Sequence, residues 1–150
     1  MAESGSGGTA NVARGFSWPT RVYWEDTDAG GVVFHGQYVS FLERARTEWM
    51  RSLGFGQAAM RESHDLVFAI RDMQVEFLRP ARLDDALQVD VELRACRGAS
   101  LVFAQAVRRG EERILVAQVR AAALSAASFR PRPIPRAVLD VLAPLQTASP

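Results

Sequence analysis

The sequence predicts an α+β fold, with one long helix packed on one antiparallel sheet. Three observations predict it. Residues 38–53 carry apolar side chains at helical spacing, and four later stretches alternate apolar and polar residues. Those four follow one another with short turns between them, which is the pattern of an antiparallel sheet and not of alternating βαβ units.

Residues 1–15 are rich in Gly, Ala, Ser and Thr and hold no apolar run, so they read as a flexible tail. Neither a secretory signal nor a membrane span of ~20 apolar residues is found, and a cytoplasmic location is the expectation. Residues 21–25 (RVYWE) form a β-prone run closed by the turn-forming cluster 26–31. In the helix, Tyr38, Phe41, Leu42, Ala45, Trp49 and Leu53 share one stripe, and Glu43, Arg44, Thr47, Glu48 and Arg51 face away from it. At ~1.5 Å per residue it is ~24 Å long. Gly54 is placed to cap it.

A loop is expected over 56–65. Period two then governs 72–77, with Met73, Val75 and Phe77 on one side, and Leu87, Val89, Val91 and Leu93 continue it. Residues 101–107 and 114–125 are two more apolar strands. Tight turns at 97–100 (RGAS) and 108–113 join them. Prolines at 131, 133 and 135 stop the sheet near Phe129. A short turn of helix is expected over 137–145. The predicted organisation is a tail (1–15), one domain (16–132) and a proline-containing C-terminal segment (133–150).

Composition limits the chemistry. At 150 residues, 48% hydrophobic and 23% charged, the chain has the make-up of an ordinary soluble domain. A net charge of +1 argues against nucleic-acid binding by bulk electrostatics. The single cysteine, Cys96, excludes an internal disulfide and a multi-cysteine zinc site. All 18 basic residues are arginine, which removes Schiff-base and P-loop lysine chemistry.

The densest chemical information is WEDTDAGGVVFHGQY, residues 24–38. Its start mimics a calcium loop, D-x-D-x-x-G, but the twelfth position holds Gln37 where a bidentate Glu is required, and no metal site is expected. Asp26 is assigned to a capped turn in preference to catalysis. Asp28 is read differently: it sits on a glycine-rich turn seven residues before the helix start marked by His35 and Gly36. A helix start presents unpaired N–H donors, which can hold a carbonyl oxygen as it becomes an oxyanion. An acid facing them can attack that carbonyl or deprotonate a water.

The stretch VYWEDTDAGGVVFHGQYVSFLERARTEWMRSLGF resembles the signature of hotdog-fold acyl-CoA thioesterases of the 4-hydroxybenzoyl-CoA type. It is most similar to the subgroup encoded with the Tol-Pal envelope system. FAIRDMQVEFLRPARLDDALQV resembles the same family's following strands, so the likeness spans about residues 21–132. It implies a sheet wrapped round the central helix, dimers joined edge to edge, often pairs of dimers, and a thioester-hydrolysing site between subunits. It assigns Asp28 as the acid, as nucleophile or general base, and the backbone N–H at His35 as oxyanion donor. Gly30, Gly31, Val32, Phe34 and Gly36 would line the substrate. Phe34 and Gly36 depart from the family's more usual tyrosine and alanine, asparagine or serine.

Coenzyme A, as part of the substrate, carries phosphates that arginine grips in a two-pronged way. The resemblance places its nucleotide end near Arg97, Ser100, Arg130 and Arg132; no separate cofactor is implied. Other candidates have structural readings: His64 in an exposed polar loop, Cys96 as a buried or edge thiol, and Glu43 as an i,i+3 partner of Arg46. Ser100 lacks a G-x-S-x-G elbow. Two rival functions are a non-catalytic scaffold for acyl carrier protein or envelope-lipid enzymes, and an enoyl-CoA hydratase or dehydratase on the same fold.

Overall fold

The helical stripe becomes α1 (Gln37–Ser52), within one residue of the expected bounds. Tyr38, Phe41, Leu42, Ala45 and Trp49 are all buried on it, as its periodicity requires. Past Leu53, Gly54 takes φ +88°, the left-handed conformation. Its N–H then reaches Arg51 O at 3.0 Å and the Phe55 N–H reaches Met50 O at 2.9 Å. These two bonds form a Schellman cap, so Gly54 ends the helix as its position predicts.

This computed structural model describes residues 15–147, and apart from Gly15 the expected flexible tail lies outside the described residues. After β1 (Phe16–Arg21) and α1 come α2 (Gln57–His64), β2 (Leu66–Phe77), β3 (Ala86–Arg97), β4 (Ser100–Arg109), β5 (Glu112–Ser125) and α3 (Arg136–Leu142). The strands form one antiparallel sheet in the order β1-β3-β4-β5-β2. The α+β class and the single-helix-on-sheet plan are as expected. α1 lies against β1 and β3. Trp49 meets Phe103 of β4 edge to face at 5.5 Å.

Three local expectations are corrected. The first strand is Phe16–Arg21, not 21–25, and Trp24–Asp26 is a turn of 3-10 helix. Pro19 hid the strand; it is tolerated because β1 pairs with β3 alone and lies at the sheet edge. The 56–65 segment is largely helix, because Gln57–His64 is the short α2, with Met60 buried.

The third correction concerns β2, which begins at Leu66, six residues before its legible alternation. A bulge between Ile70 and Asp72 inserts an extra residue. Inward residues are therefore even-numbered before it (Leu66, Phe68) and odd-numbered after it (Met73, Val75). A similar irregularity after Leu93 carries the buried face of β3 from Leu93 to Cys96.

The C-terminal segment joins the same core. Ile134 N–H bonds Gly98 O at 2.9 Å, and Val138 and Leu142 are fully buried. The expected terminal helix is α3 followed by a 3-10 turn, Ala143–Leu145.

Residues 78–85 link β2 to β3 and are braced by charge. Asp85 accepts from Arg82 N–H at 2.8 Å and from Arg109 Nη1 at 2.6 Å, while Arg109 also holds Glu112. Burial pushes the Asp85 carboxyl upward, but the Arg82 N–H and the Arg109 guanidinium outweigh it and hold the group below the ordinary range.

Truncating Phe41 to Ala is expected to cost about 3–5 kcal/mol of unfolding free energy, read from urea denaturation, because the ring is wholly enclosed. Asp85→Ala is expected to cost about 1–2 kcal/mol at neutral pH, a partly exposed pair being screened by solvent. A depressed carboxyl contributes stability that is present above its unfolded pKa and lost as pH falls through the folded one. The gap between wild type and Asp85→Ala should therefore close in urea titrations well below the ordinary carboxylate range; a gap unchanged at pH 3 would contradict the bracing role.

Candidate active site

Two acids two residues apart have opposite surroundings. Asp26 is 3% exposed and its Oδ2 accepts the Tyr23 N–H at 2.8 Å. Its own N–H returns to Tyr23 O, and its carbonyl accepts the Phe34 N–H at 2.9 Å. Asp26 thus closes the 3-10 turn, in line with its assignment to a capped turn. Asp28 is exposed.

The turn carrying Asp28 is a tight return of the chain. Asp28 N–H bonds Val32 O at 2.9 Å, Gly31 N–H bonds Asp28 O at 3.0 Å, and Gly30 N–H donates to Asp28 Oδ1 at 2.8 Å. Gly31 has φ +81°, a conformation disfavoured for residues with a side chain. A Cβ on Gly30 would stand 3.2 Å from Asp28 Oδ1, so glycine there leaves the carboxylate its place. Thr27 pairs with Val33, and Val32 pairs with Arg82.

The helix start completes this end of the chain. Gln37 N–H bonds Phe34 O and Val39 N–H bonds Gly36 O, while the N–H groups of His35 and Gly36 have no backbone acceptor among the described residues. His35 is exposed, with its ring 4.4 Å from that of Phe34. A Cβ at Gly36 would lie 2.7 Å from the Phe34 ring, so glycine there leaves the ring its place. Tyr38 fixes the first turn: its buried hydroxyl accepts the Ala81 N–H at 3.0 Å, and burial pushes its pKa up.

Asp28, Gly30, Gly31, Val32, Phe34, His35 and Gly36 thus lie in one continuous segment between the 3-10 turn and α1, with Asp28 bonded to Gly30, Gly31 and Val32. Two further residues belong to this place. Trp24 and Leu83 line, with Thr27, Asp28, Ala29 and Gly31, an open depression of about 410 Å³. Trp24 is 80% exposed and stands on the 3-10 turn Trp24–Asp26, not on a strand as the β-prone run 21–25 suggests. Pro19 masks the true first strand, so the sequence carries no clear signal for the indole's place.

The second group lies elsewhere in the chain. Arg97 and Ser100 pair at the β3–β4 turn, while the site turn leaves the sheet where Arg21 pairs with Ala86. The ends of β3 are roughly 36 Å apart at about 3.3 Å per residue. Arg130 is exposed near the Arg97 end, its carbonyl bonded to Ser125 N–H. Arg132 is already engaged, donating from Nη1 to the carbonyls of His64 and Asp65 at 2.9 and 3.0 Å.

The remaining candidates resolve structurally. His64 ends α2 with its ring edge-on to Phe55, so it is not in an exposed loop. Cys96 is buried, and burial pushes its thiol pKa up. Arg46 does not pair directly with Glu43; it turns inward and donates to Gln105. No helix among the described residues is long and apolar enough to cross a membrane.

Comparison with known proteins gives this arrangement a family. The thioesterase superfamily model matches residues 30–116. The acyl-CoA thioester hydrolase YbgC of Escherichia coli is 45% identical over 125 residues, covering 83% of this chain and 92% of that protein. The acyl-CoA thioesterase YbgC of Haemophilus influenzae is 40% identical over 124 residues, covering 83% and 91%. Among solved structures, a probable thioesterase from Bartonella henselae superposes with a TM-score of 0.77 at 32% identity, covering 81% of this chain and 99% of that one. With five antiparallel strands wrapped on α1 in the hotdog manner, the chain belongs to the thioesterase superfamily and is a thioester hydrolase.

Proposed function

We propose that the chain hydrolyses acyl-CoA thioesters, with Asp28 as the reacting acid, at a site completed by a second copy of itself. The observation that carries this reading is the exposed Asp28 carboxylate on a glycine turn, in the segment leading to unpaired N–H groups at the start of α1. The thioester carbonyl oxygen is held at the His35 and Gly36 N–H groups, where negative charge develops and the helix dipole favours it. Asp28 either attacks the carbonyl carbon, giving an anhydride that water opens, or takes a proton from the attacking water. The coenzyme A thiol leaves in both cases.

The second copy is needed because the coenzyme A arginines lie at the far end of the sheet. β2 is a 12-residue edge strand, paired on one side with β5. Antiparallel pairing of two such edges about a two-fold axis sets the C-terminal end of one β2 beside the N-terminal end of the other. Arg97, Ser100 and Arg130 of the second copy then approach the Asp28 end of the first, where arginine forks grip phosphate. Arg132, held by its carbonyl contacts, shapes that place more than it reaches outward. Relatives named acyl-CoA thioester hydrolases support the substrate class.

Asp28→Asn is expected to lower kcat/KM for acyl-CoA by about 10²–10⁴-fold, with the fold and oligomer intact. Wild-type rates in that variant would exclude the assignment. Arg97→Ala/Arg130→Ala is expected to raise KM with little change in kcat. Refolding the two variants together and assaying at acyl-CoA well below KM should restore about a quarter of the wild-type sites, since half of the dimers are mixed and each of those holds one intact site. No recovery on mixing would mean that acid and arginines act within one chain.

A further inference from the structure

The connection between β2 and β3 holds both legs of the Asp28 turn. On the entry leg, Val22 N–H donates to Asp85 O and Val22 O accepts the Asp84 N–H, both at 2.9 Å. On the exit leg, Val33 N–H donates to Ala81 O at 2.8 Å, and Val32 is bridged to Arg82. Asp28 and the glycines that seat it lie between these legs. A shift of the connection therefore carries the carboxylate with it, relative to the buried helix.

The connection itself lies outside helix and strand, and Asp84 within it takes φ +72°. Arg109, the last residue of β4, reaches it from the sheet. Its Nη1 donates to Pro80 O at 3.3 Å and to Asp85 Oδ2 at 2.6 Å, so one nitrogen ties the two ends of the segment holding Ala81 and Asp84. Nε and Nη2 turn the other way, to Glu112 Oε1 at 3.2 and 2.9 Å. Glu112 pairs with Arg109 across the β4–β5 hairpin, so it steadies the guanidinium against the sheet. A planar fork can face two groups in this way, where an ammonium offers a single point of charge.

The pair is partly exposed, with side-chain exposures of 29% for Arg109 and 22% for Asp85, and such pairs add little to unfolding stability. Rate is more sensitive to geometry. A reacting group misplaced by about 1 Å can cost about 10²-fold. We propose that Arg109 is a positioning residue for the hydrolysis: through Pro80 and Asp85 it sets where the connection lies, and so where the Asp28 carboxylate stands relative to the start of α1. The proposal rests on Asp28 being the reacting acid. The hydrogen bonds of Arg109 go to Pro80, Asp85 and Glu112, so its influence on Asp28 passes through the connection.

Acyl-CoA hydrolysis by the full chain tests this in Arg109→Gln, Asp85→Asn and Glu112→Gln. The first two are each expected to lower kcat about 10- to 100-fold with KM within about twofold. Glu112→Gln keeps an acceptor oxygen for the fork and should stay within about threefold of wild type. Placed in Asp28→Asn, Arg109→Gln should add nothing to the loss already present. A smaller folded fraction would instead multiply through both backgrounds. Deuterium exchange gives a second reading, and it decides where the Asp28→Asn rate is too low to divide further. Amides of residues 23–35 should exchange about tenfold faster in Arg109→Gln, with those in the middle of β3 unchanged. Wild-type kcat in Arg109→Gln, a loss confined to KM, a multiplicative loss in Asp28→Asn, or unchanged exchange over 23–35 would overturn the proposal. Wild-type rates in Asp28→Asn alone would remove the acid on which it rests, and the proposal with it.

Discussion

The backbone of Ala81 is gripped on both sides. Its N–H donates to the Tyr38 hydroxyl in the first turn of α1, and its carbonyl accepts the Val33 N–H from the bridged segment that leads out of the Asp28 turn. Ala81 is fully buried, so neither bond has water as an alternative. Through this one residue the core helix, the site turn and the β2–β3 connection are held in a single relation. Asp85 and Arg109 secure the connection from its other end. The position of Asp28 relative to the helix start is therefore a property of buried packing, although the carboxylate itself is exposed.

The readable elements were those whose signals are local. α1 carries a full apolar stripe and a glycine in the one place where a left-handed residue is required, so its bounds came within a residue. β4 and β5 are apolar and joined by a turn with Gly110 at φ +62°. Where a neighbour decides, the sequence was silent. Pro19 looks like a strand breaker until β1 is known to be an edge, and the first half of β2 is masked by a bulge that reverses its inward parity. Arg46 reads as a surface partner for Glu43 until Gln105, 59 positions away, meets it in the core.

The candidate site divides along the same line. The segment from Asp28 to Gly36 is continuous, so its motif marks it as a candidate in the sequence, and the burial of Asp26 beside an exposed Asp28 agrees with reading Asp26 as a turn residue. Trp24 and Leu83 were missed because the depression they line exists only once the 78–85 connection packs beside the turn. The arginines raise a different matter. Arg108 grips Asp90 with two parallel bonds of 2.6 and 2.9 Å, and Arg109 bridges Asp85 and Glu112. Such forked contacts suit guanidinium and not ammonium, so part of the lysine-free composition is used by the architecture itself.

The bulge in β2 has a consequence for the exposed edge of the sheet. A flat exposed edge accepts any extended peptide in any register, which is the route to promiscuous stacking. Here the edge is kinked at Ile70–Asp72, with charged Arg71 and Asp72 at the kink. A foreign strand laid along it meets a change of twist and two charged residues midway. The irregularity that obscured the strand in the sequence thus also keeps an exposed edge from being a uniform template for any extended chain.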